Sequence, residues 1–212
     1  MSLQTTASQT VGPYLHIGLT WLVTDNLVAP GVTGTPITLE GRITDGDGAP
    51  VNDALVEIWQ ANANGRYAHP EDTRDLTLEP AWRGFGRVPT DDNGAFRFTT
   101  IKPGRVPAAD GRLQAPHINV LILMRGMLKQ LTTRIYFPDD PANADDAVLQ
   151  SVPAARRDTL IAQPVAGSPA PGRPKPGVAP VGEARSASGA SSCALRWDVR
   201  LQGDGETVFF EY

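Results

Sequence analysis

Residues 39–67 read LEGRITDGDGAPVNDALVEIWQANANGRY, and this stretch decides the fold of the chain. Residues 37–43 and 54–59 are rich in apolar and β-branched side chains, a composition that favours strands. The sequence DGDG at residues 45–48 lies between them, and glycine and aspartate favour turns. The stretch therefore predicts two strands joined by a polar turn.

The same pattern recurs along the rest of the chain. Five further segments combine apolar or β-branched residues with flanking Gly, Pro, Asp or Asn, namely residues 95–99, 118–124, 131–137, 195–201 and 207–210. Seven strands predict an all-β fold, a two-sheet β-sandwich with long loops and one or two short helices. A Gly-Asp-Gly turn at 203–205 predicts a final hairpin, and the best helical pattern runs from about 143–145 to Pro153.

Length and composition define the expected domain organisation. The chain has 212 residues, of which 41% are hydrophobic, and this is enough for a full core in one domain. We expect residues 1–212 to form a single domain with an N-terminal arm at 1–20. Residues 164–192 are dominated by Pro, Gly, Ala and Ser, which bury too little apolar surface to offset their ordering entropy. We expect a surface loop or a disordered insertion there.

The charge and the apolar runs argue against several classes of partner. With 20% charged residues and a net charge of -4, neither nucleic acid nor an anionic membrane is a predicted partner. Residues 1–13 lack the basic and apolar regions of a secretory signal, and the apolar run at 118–124 is far shorter than a membrane span. The single cysteine, Cys193, excludes an internal disulfide and fits a reducing compartment. We expect a soluble, cytoplasmic protein.

A longer motif carries a more specific signal than the strand pattern. Residues 57–69 read EIWQANANGRYAH, and four motifs follow it: TDDNGAFRFTTIKPG at 90–104, APHINV at 115–120, TRIYF at 133–137 and GDGETVFF at 203–210. Together they resemble the intradiol ring-cleaving dioxygenases over almost the whole chain, residues 164–192 excepted. The first half of the opening stretch, taken alone, also resembles noncatalytic prealbumin-like β-sandwich modules.

This resemblance implies a ferric site, for which the family uses two tyrosines and two histidines. Phenolates are hard anionic donors that suit Fe(III), and neutral imidazoles supplement them. Tyr67 and His117 match the first tyrosine and the first histidine position, whereas Val106 and Asn119 occupy the second ones. Valine has no donor atom, and an amide oxygen is a poor substitute for imidazole. We therefore expect no metal and no catalytic residue in this chain, with Tyr67 and His117 as packed, hydrogen-bonded side chains.

Some members of the family are built from two homologous chains. One carries Fe(III), and the other has lost the ligands but helps to wall the substrate pocket. The present chain resembles the second, alpha-type chain in its ligand losses and in the motif SQTVGPYLHIG at residues 8–18. The implied partner is an iron-binding, beta-type subunit. The implied reaction is cleavage of 3,4-dihydroxybenzoate, a catecholic acid, with O₂ to 3-carboxy-cis,cis-muconate, and the chain alone is expected to be inactive.

The resemblance also implies two places where this chain reaches the substrate in the shared pocket. The arm supplies four residues, Thr10, Gly12, Pro13 and Tyr14. The alternative for the arm is that it only packs against a partner. The other place is Arg134, which alternation along the strand at 131–137 puts on the face opposite Ile135. It either pairs with a solvated acid or, as the resemblance implies, recognises the substrate carboxylate.

Two other interpretations remain open at this point. In the first, the chain is a self-sufficient intradiol dioxygenase with an altered ligand set. In the second, it is a noncatalytic prealbumin-like binding or structural module. Metal analysis of the chain expressed alone separates the first from the subunit interpretation. Co-expression with an iron-bearing homologue separates the second.

Overall fold

The computed structural model describes residues 6–138, 140–167 and 193–211. Within these ranges the chain forms nine strands: β1 Pro36–Thr44, β2 Leu55–Trp59, β3 Phe85–Pro89, β4 Ala95–Ile101, β5 His117–Leu123, β6 Leu131–Tyr136, β7 Gln163–Pro164, β8 Cys193–Arg196 and β9 Val199–Arg200. It also forms two short α-helices, α1 Pro13–Gly18 and α2 Ala147–Ser151. Three 3-10 turns complete the described elements, Thr20–Leu22, Pro141–Ala144 and Ala154–Leu160.

The strands form two sheets, as the sequence predicts. One sheet has the order β4-β1-β8-β7, with β9 also paired to β1, and the other has the order β3-β2-β5-β6. Apolar side chains from both sheets make one core between them, including Ile37 and Leu39 of β1 and Val56 and Ile58 of β2. The predicted all-β sandwich is confirmed.

Most of the predicted strands are present, and the differences lie near the C-terminus. The segment predicted at 195–201 is two strands, β8 and β9, which both pair with β1 in parallel and are separated by Trp197 and Asp198. Residues 207–210 were predicted as the second strand of a hairpin, and this is wrong. Thr207 N donates to Arg200 O, but Phe210 N then donates to Thr132 O, so the segment crosses from one sheet to the other.

The sequence pattern also missed β3 and misplaced one helix. Strand β3 contains Gly86 and ends at Pro89, and both residues weaken a strand signal. The predicted start at 143–145 belongs to a 3-10 turn, and α2 begins later because Asp146 caps it by accepting the N–H of Leu149 at 2.8 Å. The helix ends before Pro153, as predicted.

The predicted loop at 164–192 is described only at its edges. Residues 164–167 are seen, with Pro164 in β7, and residues 168–192 lie outside the described residues. Cys193, which follows, is buried in the core. Across the described ranges, every helix is too short or too polar to span a lipid bilayer.

Candidate functional site

The register of the β3-β2-β5-β6 sheet aligns a row of side chains across its outer face, the side turned away from the core. Trp59 pairs with Phe85 on one side and with Asn119 on the other, and Asn119 pairs with Arg134. Directly opposed residues project to the same face of a sheet. Their neighbour Ile58 belongs to the core, so these four side chains point outward together.

The segment that follows β2, residues 60–67, is called the signature loop. Two fully buried polar residues hold it in place. The Gln60 side chain donates to the Ile101 carbonyl at 2.9 Å and accepts from the Thr100 hydroxyl at 2.9 Å. The Asn62 Oδ1 atom accepts from the N–H groups of Asn64 and Arg66 at 3.0 and 2.9 Å. Buried amides must satisfy their hydrogen-bonding groups, so these residues fix the path of the loop that leads to Tyr67.

Two glycines lock this loop against the one that contains Val106. Gly65 has a positive φ of +79°, and a side chain there would collide with the carbonyl of Arg105. A side chain at Gly104 would in turn collide with the backbone of residues 63–65. The two loops therefore approach each other backbone to backbone, and Tyr67 and Val106, which follow these contacts in sequence, line the same cavity.

Tyr67 packs on the outer face at the end of β2. Its ring stacks on Trp59 with centroids 5.7 Å apart and planes 14° from parallel. Its hydroxyl oxygen accepts a hydrogen bond from Asn119 Nδ2 at 3.3 Å. Burial raises the pKa of Tyr67 above its ordinary value, so the phenol keeps its proton near neutral pH.

His117 lies two residues before Asn119 on the same strand and on the same face. Its side chain is 3% exposed, and its Nδ1 atom lies 2.8 Å from the carbonyl oxygen of Ala115, which fixes Nδ1 as the donor. Burial, together with the positive charge of Arg134, lowers the pKa of His117 to about 4. The imidazole is therefore neutral in the folded protein near neutral pH.

The four positions that the resemblance assigns to iron ligands do not form a ferric site. Val106 is 4% exposed and has no donor atom, and the Asn119 amide donates hydrogen bonds to the Tyr67 hydroxyl and the Trp59 carbonyl. One protonated phenol and one imidazole are then the remaining donors, and these do not satisfy a hard ferric ion. In the described part of the chain, no group of three or more His, Cys, Asp or Glu side chains is placed to hold a metal ion.

An open cavity of about 730 Å³ lies in front of Tyr67. Its walls come from the signature loop, the end of the outer face and the loop that contains Val106: Trp59, Tyr67, His69, Glu71, Asp72, Thr73, Arg74, Phe85, Val106 and Pro107. Asp72 accepts from the Tyr67 N–H at 2.8 Å and pairs with Arg74 at 2.6 Å. The Arg74 guanidinium lowers the pKa of Asp72 to about 2, so both residues are charged.

Arg134 lies on β6, directly opposite Asn119 of β5. Its Nη1 atom donates to the Gln114 side chain at 2.7 Å. Its positive charge lowers the pKa of both Tyr67 and His117. Sequence reasoning singled out Arg134 but missed Gln114, because nothing in the local pattern shows that the segment before β5 folds back onto β6.

The arm lies at the other end of the same outer face. The Thr10 hydroxyl accepts from the N–H of Gly126 at 2.7 Å, and Gly12 and Pro13 line a small cavity of about 110 Å³ above Leu55 of β2. Tyr14 is 83% exposed. Leu55 and Trp59 are four residues apart, or about 13 Å along the strand. Within one chain, the structure therefore does not bring the arm residues and Arg134 together.

Two further apolar residues at or near the arm are exposed. Trp21 is 78% exposed, and Ile17 is 61% exposed. Tyr14 and Ile17 are three residues apart in α1 and lie on one side of that helix, and Trp21 belongs to the 3-10 turn that follows. The helix itself was not predicted, because its six residues are too few to show a period.

Comparison with protein families and with characterised proteins gives a consistent result. A family model described as "Dioxygenase" matches residues 24–203. The chain is 41% identical to a protocatechuate 3,4-dioxygenase alpha chain from Burkholderia cepacia and 38% identical to one from Pseudomonas putida, each match covering 99% of this chain and 98% of the relative. A beta chain from Burkholderia cepacia is 42% identical over 144 residues, or 66% of this chain and 61% of that one.

Solved structures show the same fold. The dioxygenase domain of a carbohydrate-binding fusion protein from Streptomyces sp. SirexAA-E superposes with a TM-score of 0.57 at 22% identity, covering 88% of this chain and 89% of that one. A catechol 1,2-dioxygenase from Acinetobacter sp. ADP1, inhibited by bound mercury, gives a TM-score of 0.58 at 22% identity, covering 88% and 60%.

Proposed function

This chain belongs to the intradiol ring-cleaving dioxygenase family, and on that premise we propose that it is the non-iron-binding alpha subunit of a protocatechuate 3,4-dioxygenase. The proposal rests on the identity of two residues, Val106 and Asn119. Both occupy ligand positions of the family in a site whose loops and cavity are otherwise formed. The similarity to two alpha chains over 99% of the sequence supports the same assignment.

In the proposed assembly, a homologous beta subunit holds Fe(III), and that ion supplies the ring-opening chemistry. The substrate is 3,4-dihydroxybenzoate, and both atoms of O₂ are inserted between its hydroxylated carbons to give 3-carboxy-cis,cis-muconate. The present chain walls the pocket and preorganises it. The arm residues Thr10, Gly12, Pro13 and Tyr14 are its proposed contacts there, and the fixed position of Thr10 against Gly126 supports this role because it anchors the arm to the sheet.

Arg134 is the other proposed contact, and we assign it a role in selecting an acidic catechol. A guanidinium recognises a carboxylate by charge and by parallel hydrogen bonds. Its location in the row of Trp59 and Asn119 means that this role requires the partner to bring its pocket to that end of the outer face. In the assembled complex, Arg134→Ala is expected to reduce the preference for 3,4-dihydroxybenzoate over catechol about tenfold, whereas Arg196→Ala on the other sheet leaves it unchanged. An unchanged preference would exclude the role.

The subunit assignment is tested by two measurements on the full chain. Expressed alone, it should contain no stoichiometric iron by elemental analysis and lack the visible absorption of a ferric tyrosinate. Co-expressed with an iron-bearing homologue, it should co-elute in size exclusion and increase ring cleavage. Iron and activity in the chain alone would instead identify a self-sufficient dioxygenase. No complex and no gain in activity would indicate a noncatalytic module.

A further inference from the structure

A second, smaller core covers the β6 end of the outer face. Tyr136 of β6 and Ala115, just before β5, are fully buried there against Leu149 and Val152 from the segment that contains α2. Asp146, which caps α2, is also fully buried, so its carboxylate lies inside this core. Burial of a carboxylate is costly unless its oxygens are hydrogen-bonded, so the partners of Asp146 indicate what it does.

The Asp146 carboxylate accepts three hydrogen bonds from three different parts of the chain. Its Oδ1 atom accepts from Leu149 N at 2.8 Å, which forms the helix cap, and from the Tyr136 hydroxyl at 3.0 Å. Its Oδ2 atom accepts from Ala115 N at 2.7 Å. The helix cap needs only the first of these bonds. The other two tie the carboxylate to β6 and to the segment just before β5.

Both of these additional contacts lead to Arg134. Tyr136 lies two residues after Arg134 on β6, so their side chains project to the same face, and Arg134 forms a hydrogen bond with the Tyr136 hydroxyl. Ala115 directly follows Gln114, whose side-chain oxygen accepts from Arg134 Nη1 at 2.7 Å. Asp146 therefore reaches Arg134 along two paths, and each path ends in a neutral acceptor.

The direction of these hydrogen bonds follows from the donors and acceptors that are available. A carboxylate can only accept and a guanidinium can only donate, so the Tyr136 O–H points to Asp146 and its oxygen lone pairs face Arg134. Burial and the negative charge of Asp146 raise the pKa of Tyr136, so the phenol keeps the proton that this arrangement requires. A hydroxyl hydrogen rotates to suit its partners, so loss of the carboxylate would leave the Tyr136 lone pairs without a fixed orientation.

We propose that Asp146 and Tyr136 are positioning residues for Arg134, and that they contribute in this way to the preference of the shared pocket for an acidic catechol. The inference rests on the proposed function, because it deepens the role assigned there to Arg134. A long side chain that is held in one orientation before the substrate arrives loses less entropy on binding. Gln114 and Tyr136 are neutral, so these two contacts fix the guanidinium without neutralising its charge.

The first test measures acid preference in the complex with an iron-bearing homologue. Tyr136→Phe keeps the packed ring and removes the hydroxyl, and Asp146→Asn removes the charge with little change in shape. Each is expected to raise the KM for 3,4-dihydroxybenzoate about fivefold, the effect of losing one hydrogen bond, while kcat and the KM for catechol stay near their wild-type values. An equal effect on both substrates would indicate a merely structural role and overturn the proposal.

The matched control is Asp140→Asn. Asp140 caps the neighbouring 3-10 turn by accepting from Ala142 N at 3.0 Å, so this variant also removes a capping carboxylate. It is expected to leave the acid preference unchanged. If Asp146→Asn does not fold, Tyr136→Phe carries the test, because it preserves the apolar packing of the ring.

A double-variant cycle shows whether the effect passes through Arg134. Arg134→Ala removes the residue that is positioned, so Tyr136→Phe should cause no further change in acid preference in that background. A further loss of similar size would show that Tyr136 acts on the substrate by another route, and the proposal would be wrong.

The second test uses the full chain alone and needs neither partner nor substrate. The NMR order parameter of the Arg134 Nε–H bond reports the mobility of the guanidinium, and its signal is identified by its disappearance in Arg134→Ala. We expect a value typical of a rigid group, about 0.8, in the wild type and a fall toward about 0.6 in Tyr136→Phe. Equal order parameters in the two proteins would exclude the positioning role.

The outcomes distinguish this inference from the proposed function. If Arg134→Ala lowers the acid preference but Tyr136→Phe and Asp146→Asn do not, Arg134 keeps its role and the positioning inference fails. If Arg134→Ala has no effect, the role of Arg134 fails and the inference fails with it. If no complex forms, the subunit assignment fails, and the order parameter of Arg134 in the chain alone still decides whether Tyr136 positions it.

Discussion

Asn119 connects the two aromatic residues of the outer face through one amide group. Its Nδ2 atom lies 3.3 Å from both the Tyr67 hydroxyl and the Trp59 carbonyl, and it donates to each. A neutral donor at this position suits a phenol that keeps its proton, whereas a metal-bound tyrosine would be a phenolate. The amide of Asn119 is thus matched to the protonated state of Tyr67.

His117 gives a pH-dependent prediction at the residue scale. Its pKa is about 4 in the folded chain and about 6.5 in the unfolded one, so between these values only the unfolded chain takes up the proton. The stability that this residue contributes is complete above pH 6.5 and falls as the pH decreases toward 4. The loss is on the order of 3 kcal/mol at its largest.

The measurement is the free energy of unfolding by urea at several pH values from 7 to 4. His117→Asn, whose amide can still donate to the Ala115 carbonyl, serves as the comparison, because the carboxylates titrate alike in both proteins. We expect the wild type to lose more stability than the variant over this interval. Parallel curves for the two proteins would contradict the role assigned to burial of His117.

At the scale of elements, the site depends on two loops that pack backbone against backbone. Gly65 packs against the Arg105 carbonyl, and Gly104 packs against residues 63–65. Asp72 and Arg74 hold the segment from Gly65 to Tyr67 on the side that faces the cavity. Asp72 accepts a hydrogen bond from Tyr67 N, and Arg74 donates one to Gly65 O at 2.6 Å. Strands β2 and β4 bring these loops to the same end of the sandwich.

Gly65→Ala tests this contact against a control with the same backbone conformation. Gly111 has a φ of +81°, close to the +79° of Gly65, but a side chain there meets nothing within 4 Å. Gly111→Ala therefore costs only the conformational strain, about 1–2 kcal/mol. Gly65→Ala adds the collision with Arg105 and should cost about 2 kcal/mol more. Equal losses of unfolding free energy in the two variants would show that the loops do not touch.

At the scale of the whole molecule, one face of one sheet carries both candidate functional regions. The arm covers Leu55 at one end, and the cavity lies beside Trp59 at the other. Large apolar side chains near the arm remain exposed, with Tyr14 at 83%, Ile17 at 61% and Trp21 at 78%. Because interfaces are enriched in aromatic residues, we expect the partner to contact the arm end of this face in addition to the Trp59 end that the proposed role of Arg134 requires.

Trp21→Ala is expected to weaken the complex with an iron-bearing homologue by about 2 kcal/mol, since a buried interfacial tryptophan is often a hot spot. The unfolding free energy of the chain alone should change by less than about 0.5 kcal/mol, because Trp21 packs little within it. Analytical ultracentrifugation of the mixed chains measures the first quantity. Arg97→Ala, an exposed residue on the other sheet, should alter neither. A complex of unchanged affinity would place the interface away from α1.

The sequence by itself determined the sandwich, most of its strands and the lack of a donor atom at Val106. These are local properties, namely strand periodicity, turn residues and the absence of a donor atom in Val106. They can be read from the sequence without a structure. It did not reveal β3, where Gly86 and Pro89 obscure the pattern, nor the path of residues 207–210 across to β6.

The tertiary structure alone decided what surrounds Tyr67. Asn119 lies opposite Arg134 because of the sheet register, and Tyr67 shares a cavity with Val106 because Gly65 and Arg105 are in contact. It also decided that the arm and Arg134 lie at opposite ends of one face. The physical reason is that register and loop contact arise from packing between segments far apart in sequence, whereas a local pattern specifies only which face a side chain prefers.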